Sequence, residues 1–369
     1  MKRQFYVFTL IFLLTLSATG LFAENSKPSV VSFPSLEKVV VTNEFIFESA
    51  PFAQCHASTI EETAGGYLIA AWFGGTGEGD KDVKIWCSTC IDGKWTEPII
   101  AADENNVPCW NPVLFQPSDG PLYLFYKVSD KIATWRGVYK TSIDNGRTWE
   151  NRTMLPEGLI GPVKNKPIQL SDGTILSGSS TEHDGWIIHV ERLLPDAEEW
   201  IKSPPLNDKA HGAIQPTLLR YADGRIQMIC RPGSPWKNLW QLWSDDQGVT
   251  WGKMSGLPLP NPNSGIDAVT LRDGRQLLVY NHTNAQTTPK HREMLNVAVS
   301  VDGEQWEAVC KLEETPRCEF SYPAVIQSKD GLIHIVYTWK RTHIKHVVLD
   351  PEKIQGIPIV DEQWPDLEK

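Results

Sequence analysis

A chain of 369 residues with a formal net charge of −10 and no basic run argues against nucleic acid or an anionic membrane surface as a partner. Neither tolerates such a field without a basic patch. Its cysteines, at 55, 87, 90, 109, 230, 310 and 318, are odd in number. At least one is therefore free or paired between chains, with room for one disulfide in an oxidising compartment. Cys87-x-x-Cys90 has no second such pair for zinc and strand-like neighbours, so it reads as core or edge cysteine.

In chain order, residues 1–23 read first, as a secretory signal. Lys2 and Arg3 form the charged start, residues 5–16 are apolar, and Ala23 offers a small residue before the cut. The apolar run falls short of the ~20 residues a spanning helix needs. Removing two cations and no acids takes the charge from −10 to −12. The expected product is a periplasmic or secreted protein with a single domain at 24–369.

Six glycine turns then recur: Gly65-Gly66, Asp119-Gly120, Asp172-Gly173, Asp223-Gly224, Asp273-Gly274 and Asp330-Gly331. Counted from Gly66, successive glycines lie 54, 53, 51, 50 and 57 residues apart. Each turn separates two short apolar runs, and Asp-Gly in that setting predicts a hairpin whose turn needs positive φ. Trp95, Trp149, Trp200, Trp251 and Trp306 keep the same beat. An all-strand repeat of about 50 residues predicts an all-β fold, a six-bladed propeller of four-stranded antiparallel blades.

The third and fourth strands of a blade are joined by a second turn. Ser142-x-Asp144-x-Gly146-x-Thr148-Trp149 and Ser244-x-Asp246-x-Gly248-x-Thr250-Trp251 share one pattern, and Ser300-x-Asp302-Gly303-x-x-Trp306 is one residue shorter. Asp accepts backbone N–H groups within its own turn, Gly takes positive φ, and Trp packs between sheets. These are structural devices. The sixth blade lacks such a turn, so residues 39–47 are expected to supply its outer strand and close the ring.

In an antiparallel meander both kinds of turn fall on one face. The starts of the first strands and the ends of the second therefore gather on the other, where a rigid scaffold presents function. The first-strand starts are His56, Asn111, Lys166, Gln215, Asp267 and Tyr322. The second-strand ends add Lys127, Glu182, Arg231, Asn281 and Trp339 with Lys340 and Arg341. Trp110, Trp135, Trp236 and Trp240 sit in predicted loops of the same face, where flat rings suit either sugar stacking or packing between blades. The glycine-rich loop 74–82 carries Glu78, Asp80 and Asp82, read as solvated loop acids before calcium ligands.

On these motifs residues 39–351 resemble the sialidase-type Asp-box propellers, in particular the bacterial branch described as predicted neuraminidases. The resemblance implies a Tyr nucleophile assisted by a Glu, an Asp acid/base and three Arg residues holding a substrate carboxylate. Tyr322, eight residues before Asp330, matches the nucleophile, and Asp82, ahead of a strand, matches the acid/base. Arg231 and Arg292 match two of the arginines. His56 stands where the first Arg belongs, and Gln215 where the assisting Glu belongs. A neutral amide does not take a phenol's proton, so Glu319 on the incoming loop, or His56, is expected to replace it as base.

The implied partner is a glycan with an anionic sugar, and no cofactor or metal is implied. Arg231 and Arg292 are expected to hold the carboxylate, with Gln215, Asn111, Lys166, Asp267 and Trp339 contacting substrate. Asp82 is expected to stay partly protonated in a desolvated pocket. Two alternatives remain open: a uronate-directed glycosidase or lyase using His56, and a non-catalytic glycan-binding propeller.

Overall fold

Every one of the six glycine turns closes a hairpin between the two inner strands of a sheet, and the computed structural model arranges six sheets, four of four strands and two of five, as the blades of a propeller. The turn glycines all have positive φ, from 80° at Gly66 to 111° at Gly120. A β-carbon is disfavoured there, which is why glycine recurs. The structure describes residue 1 and residues 36–195, 200–283 and 292–366. The expected secretory signal lies outside the described residues. Among those described, no helix is long and apolar enough to cross a membrane.

The inner strands are buried on both faces, because each blade packs against two neighbours. Cys109–Phe115 of blade 2 and Ile226–Pro232 of blade 4 have every residue buried. Ile69 and Ala71 of blade 1 meet Leu114 and Leu124 of blade 2, while Leu277 and Val297 of blade 5 meet Val325 and Ile335 of blade 6. All seven cysteines are free, five of them buried, so the one conceivable disulfide does not form. Burial pushes the Cys87 and Cys310 thiols up to about 12.

Chain from both ends builds blade 6. Val40–Phe45 runs antiparallel to His343–Leu349, pairing Val40 with Leu349 and Phe45 with Lys345, as the missing sixth Trp turn predicts. Trp95 of blade 1 donates from Nε1 to Glu44 Oε1 at 3.1 Å, tying the closing strand to the next blade. Blade 5 gains a fifth strand from the C-terminal tail, where Ile357–Pro358 pairs with Glu307–Glu314.

The Asp turns work as their chemistry dictates. Asp144 accepts from Thr148 N at 2.9 Å and Thr148 Oγ1 at 2.6 Å, while Ser142 Oγ accepts from Gly146 N at 2.9 Å. Asp246 repeats this with Thr250. A β-carbon on Gly146 would lie 2.1 Å from Ile69 Cδ1, so the box of blade 2 leans on blade 1. Gly65 N donates to Asn145 Oδ1 at 3.0 Å, which puts glycine turns and Asp turns on one face. The opposite face holds the ends expected to carry function.

Candidate active site

Four of the six innermost strands carry one extra residue at the same place. Register slips between His56 and Thr59, Trp110 and Val113, Ile214 and Thr217, and Ser321 and Ala324. In each slip the residue after the first paired one has positive φ: Ala57 at 56°, Asn111 at 34°, Gln215 at 54° and Tyr322 at 53°. Such bulges re-aim side chains, and a left-handed non-glycine residue costs about 1–3 kcal/mol unless its surroundings hold it. Here they aim Gln215 and Tyr322 at each other across the axis.

The phenol of Tyr322 is the centre of the resulting network. Arg231 Nη1 donates to its oxygen at 2.7 Å, and Gln215 Nε2 donates at 3.2 Å. Gln215 Oε1 accepts from the same Arg231 Nη1 at 3.1 Å, which fixes the amide's orientation. Ser180 Oγ accepts from Gln215 N, and Asn165 Nδ2 donates to Gln215 O. Two donors thus converge on one oxygen, an arrangement that stabilises negative charge developing there. The guanidinium of Arg292 lies 5.6 Å from the Tyr322 ring centre. Asn263 joins the two arginines, accepting from Arg231 Nε through its side chain and from Arg292 Nη2 through its carbonyl.

Below the ring, Lys164 is 3% exposed and donates to the carbonyls of Ile266 and Pro323. Burial pushes its ammonium down to about 7. His56 is 1% exposed, its Nδ1 2.9 Å from Thr338 Oγ1 and its ring centre 4.1 Å from that of Tyr322. Burial, followed by Arg341, Arg292, Arg231 and Lys164, holds His56 well below the usual imidazole range. This environment disfavours an imidazolium at His56.

Glu319 takes a different position from the one expected of a base. Its carboxylate accepts from Arg292 Nη1 at 3.0 Å, Arg341 Nε at 3.1 Å and Ser321 Oγ at 2.8 Å. Its burial works against the charge, but Arg341, Arg292 and these bonds overcome it and hold the carboxyl below its usual range. That is a weak base, turned towards guanidinium groups. Arg341, which the sequence reading left without a role, follows the second strand of blade 6 with φ of 63°. It also donates from Nη1 to Glu78 Oε2 at 2.6 Å.

The remaining expected residues lie elsewhere. Lys166 Nζ is 2.9 Å from Asp267 Oδ2, and Asp267 also accepts from Val325 N and Thr217 Oγ1. Both residues line a cavity of about 160 Å³ shared with Glu61, Arg220 and Thr270, towards the glycine-turn face. Blades 3 and 5 lack the bulge that would turn them to the phenol. Trp339 packs against Phe45 at 5.1 Å and His343 at 5.9 Å. Asn111 accepts through its carbonyl from the buried Lys127.

Asp82 is exposed, not desolvated, and its Oδ2 accepts from Thr76 N and Oγ1, both at 2.9 Å. Its loop is tied to Arg341 of blade 6 by the Glu78–Arg341 ion pair. The desolvated carboxyl of this face is Glu182, half-buried and raised above its usual range by burial, against the pull of Arg231. Three of the four bulge residues, Asn111, Gln215 and Tyr322, precede a proline, but so does Lys166 in blade 3, whose ladder carries no bulge, and Ala57 in blade 1 does not. Proline offers no N–H to a ladder, which loosens an inner strand without by itself placing a bulge.

A ring of six blades, Asp turns on one face and a tyrosine held by arginines on the other define a sialidase-like propeller. The family model described as a BNR repeat-like domain matches residues 66–335, and the chain belongs to that family. No curated protein matches it by sequence. Among solved structures, a Dyadobacter fermentans protein of unknown function has a TM-score of 0.70 at 15% identity, over 86% of this chain and 99% of its own. The K499G mutant of the NanB sialidase from Streptococcus pneumoniae gives 0.69 at 13% identity, over 85% and 71%. The Ruminococcus gnavus intramolecular trans-sialidase gives 0.68 at 11% identity, over 86% and 99%. At these identities the likeness establishes the fold.

Proposed function

We propose that the protein is a periplasmic or secreted, exo-acting glycoside hydrolase of sialidase type, acting on an anionic sugar such as sialic acid. The observation that carries this reading is the pair of hydrogen bonds that Arg231 and Gln215 donate to Tyr322 Oη. In this reading Arg231 and Arg292 hold the substrate carboxylate through charge-assisted bonds. Tyr322 attacks, or stabilises the positive anomeric centre, with Arg231 and Gln215 donating to its oxygen. Asp82, on the loop above blade 1, serves as acid/base. His56 and Gln215 contact the sugar as neutral groups. The sialidase neighbours support the same chemistry.

The departure at Gln215 gives weight to a second reading, a glycan-binding propeller without turnover. Use of His56 as an acid on a uronate is disfavoured by its burial as a neutral ring. Aryl sialosides and aryl uronides assayed side by side separate these readings. Release of the aryl group, lost in Tyr322→Phe and Asp82→Ala, supports hydrolysis. Binding without release supports the lectin-like reading, and an unsaturated product absorbing in the ultraviolet points to elimination.

A further inference from the structure

Arg231 leads outward from the phenol to an aromatic shelf that the proposed chemistry does not use. Its guanidinium lies 5.4 Å from the ring centre of Trp186, in the loop after the second strand of blade 3. Beyond Trp186 two glycines form a floor without side chains. Gly233 N donates to Gly212 O at 2.8 Å. A β-carbon on Gly233 would lie 3.2 Å from Trp186 Cε3 and 3.1 Å from that carbonyl oxygen, so the two loops are in close contact. Trp236 follows, pinned by its backbone N to Gly233 O at 2.9 Å and by its indole Nε1 to Ala210 O at 3.1 Å.

Trp236 is packed by two rings and still partly exposed. His211 stacks on it at 5.3 Å and 24°, and Trp240 meets it edge-on at 4.8 Å. It is nevertheless 38% exposed, and it lines a groove of about 590 Å³ together with Lys237, Asn238, Trp240 and Glu362. Glu362 comes from the C-terminal tail, which returns past blade 5 so that its carboxylate accepts from Asn238 Nδ2 at 2.6 Å. A pinned, partly exposed indole edged by an amide, an ammonium and a carboxylate is the chemistry that takes a sugar ring. The C–H face lies on the aromatic surface while hydroxyl groups exchange bonds at the rim.

We infer that the Trp236 groove is a subsite for a neutral pyranose of the glycan, lying beyond the sugar held at Tyr322. The inference rests on the glycan-directed reading above and adds where the rest of the chain lies. It makes Trp236 a determinant of selectivity for longer glycans over single sugars.

Two measurements test it, one independent of turnover. Saturation-transfer NMR with lactose as the neutral disaccharide is run on the full chain carrying Tyr322→Phe, with and without Trp236→Ala. Transfer to lactose is expected in the first protein and lost in the second, with Trp236→Phe recovering part of it. Thermal unfolding midpoints establish that each variant is folded. In the active protein, the ratio of kcat/KM for 3′-sialyllactose to that for an aryl sialoside should fall about tenfold on Trp236→Ala. Loss of lactose transfer with no cleavage of any sialoside supports the subsite while removing the hydrolase reading. Lactose transfer that is absent at the outset, or that persists undiminished in Trp236→Ala, overturns the inference.

Discussion

Tyr322 and Arg231, 91 residues apart and in blades 6 and 4, share a hydrogen bond of 2.7 Å between phenol oxygen and guanidinium. The bond depends on backbone geometry as much as on side chains. Tyr322 sits at a bulge with φ of 53°, and Gln215, at the equivalent bulge of blade 4, completes the contact. Its first consequence concerns the missing base. Gln215→Glu would put a carboxylate where an amide now faces the phenol, and a general base typically contributes 10²–10⁴-fold. Sialoside turnover is expected to rise by about 10²-fold, while Tyr322→Phe abolishes it. Steady-state kinetics on both variants decides this, and a Gln215→Glu protein slower than its parent counts against the Tyr mechanism.

Arg231 is expected to act on the substrate carboxylate as well as on Tyr322. A hydrogen bond to a charged group is worth about 1.5–3 kcal/mol. Arg231→Ala should therefore weaken binding of a carboxylate sugar by roughly 10- to 100-fold, with little effect on the corresponding amide. Titration calorimetry on the matched pair measures the difference.

Glu319 bridges Arg292 and Arg341, with side-chain exposures of 19%, 18% and 24%. Removing its charge takes away the carboxylate shared by the two guanidinium groups and leaves Glu78 as the carboxylate paired with Arg341. Glu319→Gln is expected to destabilise the fold by about 2 kcal/mol near neutral pH. Because the folded carboxyl lies below its usual range, this stabilisation is present above the unfolded value near 4.5 and is lost as pH falls through the folded one. Unfolding midpoints of parent and variant should converge in acid.

Glu61 gives the opposite sign. It lines the central cavity beside Lys166 and Asp267, and burial pushes it up to about 7 against the pull of Lys166. Between pH 4.5 and about 7 the native state binds more protons at this site than the unfolded chain, so its contribution falls as pH rises. Glu61→Gln should change little at pH 4.5 and raise the unfolding midpoint most at pH 7 and above. A shift of equal size at every pH contradicts this assignment.

Closure of the ring supplies another test. Val40–Phe45 provides the outer strand of blade 6 through its pairing with His343–Leu349. A chain beginning after residue 47 loses that ladder and the Glu44–Trp95 bond to blade 1. It is expected to unfold less cooperatively and at lower denaturant than a chain beginning at residue 36, as followed by circular dichroism.

Much of the fold was legible because its devices are local. Positive φ at Gly120 or Gly224, and the bonds that Asp144 collects from Thr148, involve residues within a few positions of one another. Their spacing therefore carries the blade count and even the closure by the first strand. The site was legible only in part. Tyr322, Gln215, Arg231, Arg292 and His56 do converge, whereas Lys166 and Asp267, at matching sequence positions, turn to the central cavity. Among the first-strand residues, His56, Gln215 and Tyr322 stand at ladders with one extra residue, whereas the ladders of blades 3 and 5 carry none.

From its residues alone this chain dictates six hairpins, their common faces and a polar rim, since turn chemistry and strand alternation act over short distances. Which rim residues meet, which of Glu319 and Gln215 faces the phenol, and that Arg341 joins Arg292 were decided by the closed ring. Those contacts join strands of different blades. Their distances depend on bulges, burial and mutual charge, which exist only once all six sheets have packed.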